Sequence, residues 1–148
     1  MTTIVYCHKT KKIACDSRST VGGTIDTDNA DKFIIDNGEM WFFCGAFADF
    51  QKLIDMHNEL RPATKLACSA FVVAKDGVFC RCYDEEQNRY MTYKLNCSWT
   101  AGSGMDHALT ALDMGATAKQ AVEIAIKRDV WSGGKVRVFD CIEMEFIE

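Results

Sequence analysis

A single proline and no low-complexity stretch occur in 148 residues. The chain therefore lacks the composition of a linker or a disordered tail. Long apolar runs are missing too: the longest, such as Met40–Cys44 and Ala70–Ala74, stop at five residues. A membrane-spanning helix needs about 20, so no membrane partner is expected. The start, Met1-Thr2-Thr3-Ile4-Val5-Tyr6, has no basic segment followed by a long apolar one. No signal peptide is read, and a cytoplasmic address is expected. Lysines and arginines are scattered and the net charge is −4. A basic stripe, the electrostatic footprint of a nucleic-acid binder, is absent, so no nucleic-acid partner is expected. Metal signatures are also wanting. No Cys-x-x-Cys or His-x-x-x-His occurs among eight cysteines and three histidines. The acidic segment Asp26–Asp31 has neither the glycine at the sixth position nor the glutamate at the twelfth of a calcium loop, where Asn37 stands. It is read as a solvated loop, and no metal or cofactor is expected.

The cysteines mostly sit among Val, Phe and Ile. They are read as reduced, small apolar residues rather than as disulfide partners or metal ligands. The closest pair, Cys80-Arg81-Cys82, falls on a predicted strand. The length suits one domain spanning residues 1–148.

Local patterns set the element order. Thr3–Cys7 and Ile13–Ser17 read as strands across a polar turn. Asn37-Gly38 between Phe33–Ile35 and Met40–Cys44 is a hairpin signal, as is Asp76-Gly77 between Cys68–Ala74 and Val78–Tyr83. Ala46–Leu60 reads as a helix with Phe47, Phe50, Ile54 and His57 on one face. A short polar strand is expected near Tyr90–Tyr93. Met105, Ala108, Leu109 and Leu112 mark a second helix, with Gly115 placed to end it. Thr117-x-x-Gln120 is a capping box opening a third, whose face is Ala118, Ala121, Val122 and Ala125. Near the end, Val136, Val138, Ile142, Met144 and Phe146 alternate with polar residues, which predicts a strand pair with one buried face. Strands, helix, strands, two helices and strands in this order fit two sheets packed face to face with helices outside.

Chemistry is suggested first by Thr2. An N-terminal methionine is readily excised before a small residue, and excision would leave a hydroxyl and a free α-amine on one threonine. A hydroxyl attacks only when a base takes its proton, and an amine of pKa about 8 is such a base. Several short segments join this one in order. They are Cys15-Asp16-Ser17-Arg18-Ser19-Thr20, Lys32 sixteen residues after Asp16, Gly45-Ala46-Phe47-Ala48-Asp49, Ala101-Gly102-Ser103-Gly104 and Arg128-Asp129-Val130-Trp131-Ser132-Gly133-Gly134. Singly, each has an ordinary explanation. Asp16 and Lys32 would be a surface ion pair, Gly102-Ser103-Gly104 a turn before a helix, and Ser132-Gly133-Gly134 a loop.

Together, with Thr2-Thr3-Ile4-Val5, they resemble the proteasome β-subunit family, including bacterial ATP-dependent peptidases and small proteasome-like proteins of bacteria and phages. The resemblance runs over nearly the whole chain. It implies an α+β fold, the four-layer αββα sandwich of two antiparallel sheets of N-terminal-nucleophile (Ntn) hydrolases. Arg61–Ala67 is too short for the family's second helix, so one helix of an outer layer is expected to be missing. The resemblance further implies a threonine peptidase with Thr2 as nucleophile and its amine as general base. Lys32 would lower the pKa of both groups, and Asp16 would hold Lys32. Ser103, Asp129 and Ser132 would position the amine and a water. The Gly45 N–H would stabilise the oxyanion. Ser19, Thr20, Ala30, Phe43 and Phe47 would lie near substrate, Thr20 pairing with its backbone and the two phenylalanines forming an apolar pocket. The implied partners are a peptide or unfolded-protein substrate and further copies of the chain in a homo-oligomer, while an ATPase partner is not readable. The alternative is a proteasome-like scaffold without activity.

Overall fold

The computed structural model describes residues 1–148. Twelve strands and three α-helices follow one another along the chain. β1 (Thr3–Cys7), β2 (Lys12–Cys15), β3 (Ser19–Val21), β4 (Thr24–Thr27), β5 (Phe33–Asp36) and β6 (Glu39–Gly45) come first. A 3₁₀ turn (Phe47–Asp49) leads into α1 (Phe50–His57). Then come β7 (Cys68–Ala74), β8 (Gly77–Asp84), β9 (Arg89–Lys94), β10 (Trp99–Gly102), α2 (Met105–Asp113), α3 (Ala118–Arg128), β11 (Arg137–Asp140) and β12 (Glu145–Phe146). The chain forms two compact units, one made of Met1–Lys32 with Asn96–Glu148, the other of Phe33–Leu95.

The first unit holds a five-stranded antiparallel sheet in the order β10-β1-β2-β11-β12 and a small β3–β4 hairpin. Helices α2 and α3 cover one sheet face. Ala108, Ala118, Ala121, Val122 and Ala125 from the helices pack on Val5, Cys7, Ala14 and Val138. Small alanines on this stripe let the helix backbones approach the sheet closely. The opposite sheet face carries Ile4, Tyr6, Ile13 and Phe139, also buried. Both capping features of the helix pair are present. Gly115 has φ +96° after α2, and at the start of α3 the Thr117 and Gln120 side chains exchange hydrogen bonds with each other's backbone N–H.

In the second unit β5 to β9 form an antiparallel meander. Asn37 and Gly38 take φ +49° and +76°, the left-handed pair that a two-residue turn matching the strand twist requires. α1 lies on the face formed by Trp41, Phe43, Ala70 and Val72, burying Phe50, Leu53 and Ile54 against them. Residues 61–67 hold no helix, in line with the short outer layer expected.

Several local expectations are corrected. The helix predicted over Ala46–Leu60 is a 3₁₀ turn followed by only eight α-helical residues, with Phe47 49% exposed and Leu60 74% exposed. Asp49 instead reaches across to cap the Ala67 N–H. The C-terminal alternation is broken: residues 141–144 form a turn, Ile142 is 72% exposed, and Val138 and Phe139 are both buried. Strand β11 has both faces covered, so its apolar residues are consecutive rather than alternating. The acidic segment is not wholly a loop, because Asp26 and Thr27 belong to β4. Strands β3, β4 and β10 were not read from the sequence; all three are short. All eight cysteines are free thiols, but only Cys7, Cys15, Cys44 and Cys80 are buried, while Cys97 is exposed.

Candidate active site at the threonine end of the first unit

Strand register brings the distant segments together. β1 pairs with β2 so that Ile4 faces Cys15, and with β10 so that Thr3 faces Gly102. β11 enters beside β2 with Arg137 opposite Cys15. The residue before β1 (Thr2), the one after β2 (Asp16), the one after β10 (Ser103) and the loop before β11 (Asp129–Gly134) therefore meet at one end of the sheet. Thr2 is 2% exposed.

Asp16 is fully buried and accepts four hydrogen bonds. Its Oδ1 receives the Thr3 N–H and the Lys32 Nζ, both at 3.0 Å, and its Oδ2 receives the N–H of Gly133 (3.0 Å) and of Arg18 (3.3 Å). Lys32, 2% exposed, completes the ion pair. A buried pair endures only when its remaining polar atoms are satisfied, and here the backbone supplies the partners. The same ammonium donates to the carbonyl oxygen of Met1 at 2.9 Å. That carbonyl carbon is bonded directly to the Thr2 nitrogen, so the cation sits at the peptide bond whose cleavage would release the threonine amine.

A second network lies beside it. Ser103 Oγ and Ser132 Oγ each donate to Asp129 Oδ2 at 2.6 Å, and the Trp131 N–H donates to Oδ1 at 3.2 Å. Burial pushes the Asp129 carboxyl up, but these hydrogen bonds outweigh it and hold its pKa below the ordinary carboxylate value. Asp129 therefore contributes stability above that ordinary value, and the contribution is lost as pH falls through its folded pKa. A hydrogen bond of 2.7 Å joins Thr3 Oγ1 and Ser132 Oγ. Since the Ser132 proton goes to the carboxylate, the Thr3 hydroxyl is the donor in that pair. Ser103 Oγ also stands 3.5 Å from the Thr2 carbonyl oxygen.

Glycines are required where these backbones cross. Gly102 has φ +95°, and a Cβ there would collide with the Thr2 carbonyl oxygen; a Cβ on Gly104 would strike the Thr3 hydroxyl. Gly102→Ala is expected to keep the fold but to displace Thr2. The check is a crystal structure or backbone chemical shifts at residues 2 and 3, together with loss of any Thr2 reactivity.

Thr2, Asp16, Lys32, Ser103, Asp129 and Ser132 are thus gathered in one unit. Ser19 and Thr20 lie on the partly exposed β3, and Ala30 is buried with its N–H donating to the Ser17 carbonyl at 2.9 Å. Gly45, Phe43 and Phe47 belong to the second unit. Gly45 ends β6 with φ +106°, where a Cβ would meet the Ala67 carbonyl. Phe43 is fully buried and stacked on Phe50 with centroids 4.4 Å apart, while Phe47 lies at 4.7 Å from the same ring on the surface. Two participants escaped the sequence reading. Thr3 is tied to both networks, and Arg18 grips Asp28 at 2.8 Å while lying flat on Gly133. The second glycine of the Gly133-Gly134 pair is demanded by the Asp28 backbone, a close approach that a Gly-Gly dipeptide signals only generically. No group of three or more His, Cys, Asp or Glu side chains is placed to hold a metal ion, and no helix is long and apolar enough to cross a membrane.

Comparison with solved structures finds many similar chains, among them the following three. Eukaryotic HslV from Trypanosoma brucei superposes with a TM-score of 0.70 at 20% identity, covering 93% of this chain and 99% of that one. Thiobacillus denitrificans BPH does so with 0.71 at 17% identity, covering 93% and 96%. The same protein in complex with epoxomicin gives 0.68 at 16% identity with the same coverage. The fold is that of the proteasome-like Ntn hydrolases. Within that α+β fold, the site just described lies at the start of the first strand. No family model matches the sequence. No curated protein matches it significantly either. At identities this low the likeness establishes the fold, and the chemistry rests on the side chains.

Proposed function

We propose that the chain is an N-terminal threonine hydrolase that cleaves peptide or other amide bonds once Met1 is removed. The observation that carries this reading is the Lys32 ammonium 2.9 Å from the Met1 carbonyl oxygen. With Met1 attached, the Thr2 nitrogen is an amide and has no basic lone pair. With Met1 gone, that nitrogen becomes an α-amine beside a cation. Like charge disfavours the ammonium form, so the amine pKa falls below its usual value of about 7.7–8.0 and the free base is populated at neutral pH. The amine then takes the Thr2 hydroxyl proton as the oxygen attacks the substrate carbonyl. It returns the proton to the departing amine, and water hydrolyses the acyl-threonine ester. Asp16 fixes the lysine, and the Ser103–Asp129–Ser132 network fixes the Thr2–Thr3 backbone, which is what attack geometry requires. The substrate class is a peptide or an unfolded protein segment, and the working form is a homo-oligomer in the cytoplasm.

The Thiobacillus BPH complex with epoxomicin suggests the probe. Intact-mass measurement of the purified protein should show Met1 absent, and an epoxyketone should add once, to Thr2. Retention of Met1 with no adduct on Thr2 under any preparation would reject the reading in favour of an inactive scaffold.

A further inference from the structure

The last turn of α3 carries two cations that the chemistry at Thr2 does not use. Lys127 and Arg128 are both exposed there, directly before Asp129 in the chain. Neither forms an ion pair. Glu123 stands four residues before Lys127 without pairing with it. The nearby Arg18 is different, because its guanidinium is spent on the protein itself. Its Nε and Nη2 grip the two carboxylate oxygens of Asp28 at 2.8 and 3.1 Å, and its Nη1 donates to the Val130 carbonyl at 3.2 Å.

The two cations border a cleft of about 450 Å³, within the range of about 300–1,000 Å³ for small-ligand sites. Its lining runs from Lys127 and Arg128 over Asp129 and Trp131 to Arg18 and Thr20, all in the first unit. Ile25, paired with Thr20 across the β3–β4 hairpin, also lines it and is 48% exposed. Asp129 ties this cleft to the candidate active site. Its Oδ2 accepts from Ser103, whose Oγ stands 3.5 Å from the Thr2 carbonyl oxygen. One serine therefore links the cleft wall to the threonine.

Charge decides what the cleft accepts. Asp129 is the one carboxylate in the lining, and its oxygens are taken by the Ser103 and Ser132 hydroxyls and the Trp131 N–H. Asp28 is matched by Arg18. Lys127 and Arg128 are left as unopposed positive charge in a protein of net charge −4. Cations in a last helical turn also complement the carbonyl dipole, but that role needs neither a cleft nor apolar neighbours. Here Trp131 and Ile25 add apolar surface suited to side-chain methylenes.

We propose that this cleft is a subsite for an acidic side chain of the substrate, with Lys127 and Arg128 as the residues that set the preference. The inference rests on the threonine-hydrolase reading. A single carboxylate suits the cleft better than a polyanion does. Arg128 offers a planar fork and Lys127 a point charge, enough for one carboxylate, whereas a long polyanion would run onto a surface of negative net charge. An extended peptide advances about 3.3 Å per residue, so the acidic side chain belongs to a residue near the scissile bond. Its contacts are the same in the ground state and in the transition state. They lower KM and leave kcat unaltered.

The test uses a neutral fluorogenic peptide in which one Glu is moved through successive positions, each with a Gln control. Hydrolysis is measured with the Met1-free protein, and binding by fluorescence anisotropy with Thr2→Ala. An exposed ion pair contributes up to about fivefold in affinity, and two act on one carboxylate here. At one position Glu should therefore be preferred over Gln by about fivefold or more in both KM and Kd, with kcat equal. The preference should vanish at about 1 M salt, where the screening length falls to about 3 Å. It should also vanish in the double variant Lys127→Ala with Arg128→Ala, whose hydrolysis of the Gln peptide should match wild type. Glu and Gln peptides that behave alike at every position overturn the proposal, as does a preference that survives in the double variant. The salt series on unmutated Lys127 and Arg128 decides if that variant misfolds. Hydrolysis without a Glu preference rejects the subsite and keeps the threonine mechanism. A salt-sensitive Glu preference in binding, with no hydrolysis by any form, rejects the mechanism and keeps the cleft as an acidic-peptide site.

Discussion

Thr2→Ala should abolish amide hydrolysis, lowering the rate by on the order of 10⁴-fold or more, the scale seen when a catalytic nucleophile is deleted. The variant is informative because alanine is also small. Met1 should still be excised, leaving an α-amine beside Lys32 but no hydroxyl to activate. Thr2→Ser keeps a hydroxyl and should retain part of the activity. Thermal unfolding measured on the same variants separates loss of the hydroxyl from loss of the fold, since Thr2 is a buried residue. Steady-state hydrolysis of a fluorogenic peptide, with the N-terminus of each variant verified by mass, makes the comparison. Equal rates for wild type and Thr2→Ala would remove the threonine from the mechanism. A third form, wild type with Met1 retained, should be as inert as the alanine variant, since its nitrogen is acylated and its hydroxyl has no base.

Asp16→Ala should be the most damaging single change to stability. It strips the counter-charge from Lys32, which is 2% exposed, and orphans the N–H groups of Thr3 and Gly133. Breaking a buried pair by removing one partner costs about 3–5 kcal/mol. For a chain of this size that corresponds to a fall in Tm of roughly 10 °C or more. The double variant Asp16→Ala with Lys32→Met should recover much of the loss, because the uncompensated charge is gone and the long side chain still fills its space. It should remain inactive nevertheless, since no cation is left to lower the amine pKa. Calorimetry and activity measured on the same samples separate the two effects. A double variant no more stable than Asp16→Ala would show that the backbone hydrogen bonds, rather than the stranded ammonium, dominate the cost.

The candidate site illustrates how far local chemistry reaches. Gly102-Ser103-Gly104 is recognisable as a turn, but only the pairing of Thr3 with Gly102 shows that both glycines make room for the backbone and hydroxyl of Thr2 and Thr3. Thr3 itself looks like any strand residue, and its hydrogen bond to Ser132 spans 129 positions. Such a partnership has no periodicity to betray it. Phe47 fits a helical stripe by spacing, yet the first turn winds as a 3₁₀ helix and turns the ring outward. Val138 and Phe139 read as half of an alternation, because nothing in four residues says that β11 lies between two other strands with both faces covered.

What the residue order determined by itself was local and spacing-borne. It set the Asn37-Gly38 turn, the capping box at Thr117, the apolar stripes of α2 and α3, and a small residue after Met1. It also set the sixteen-residue step from Asp16 to Lys32. These are decided by steric limits and hydrogen bonds within a few positions of the chain. The tertiary structure decided which end of a five-stranded sheet those segments share and that Lys32 points at the first peptide bond. Those outcomes depend on strand register and burial, which sum many weak contacts between residues far apart and so leave no signature at any one position.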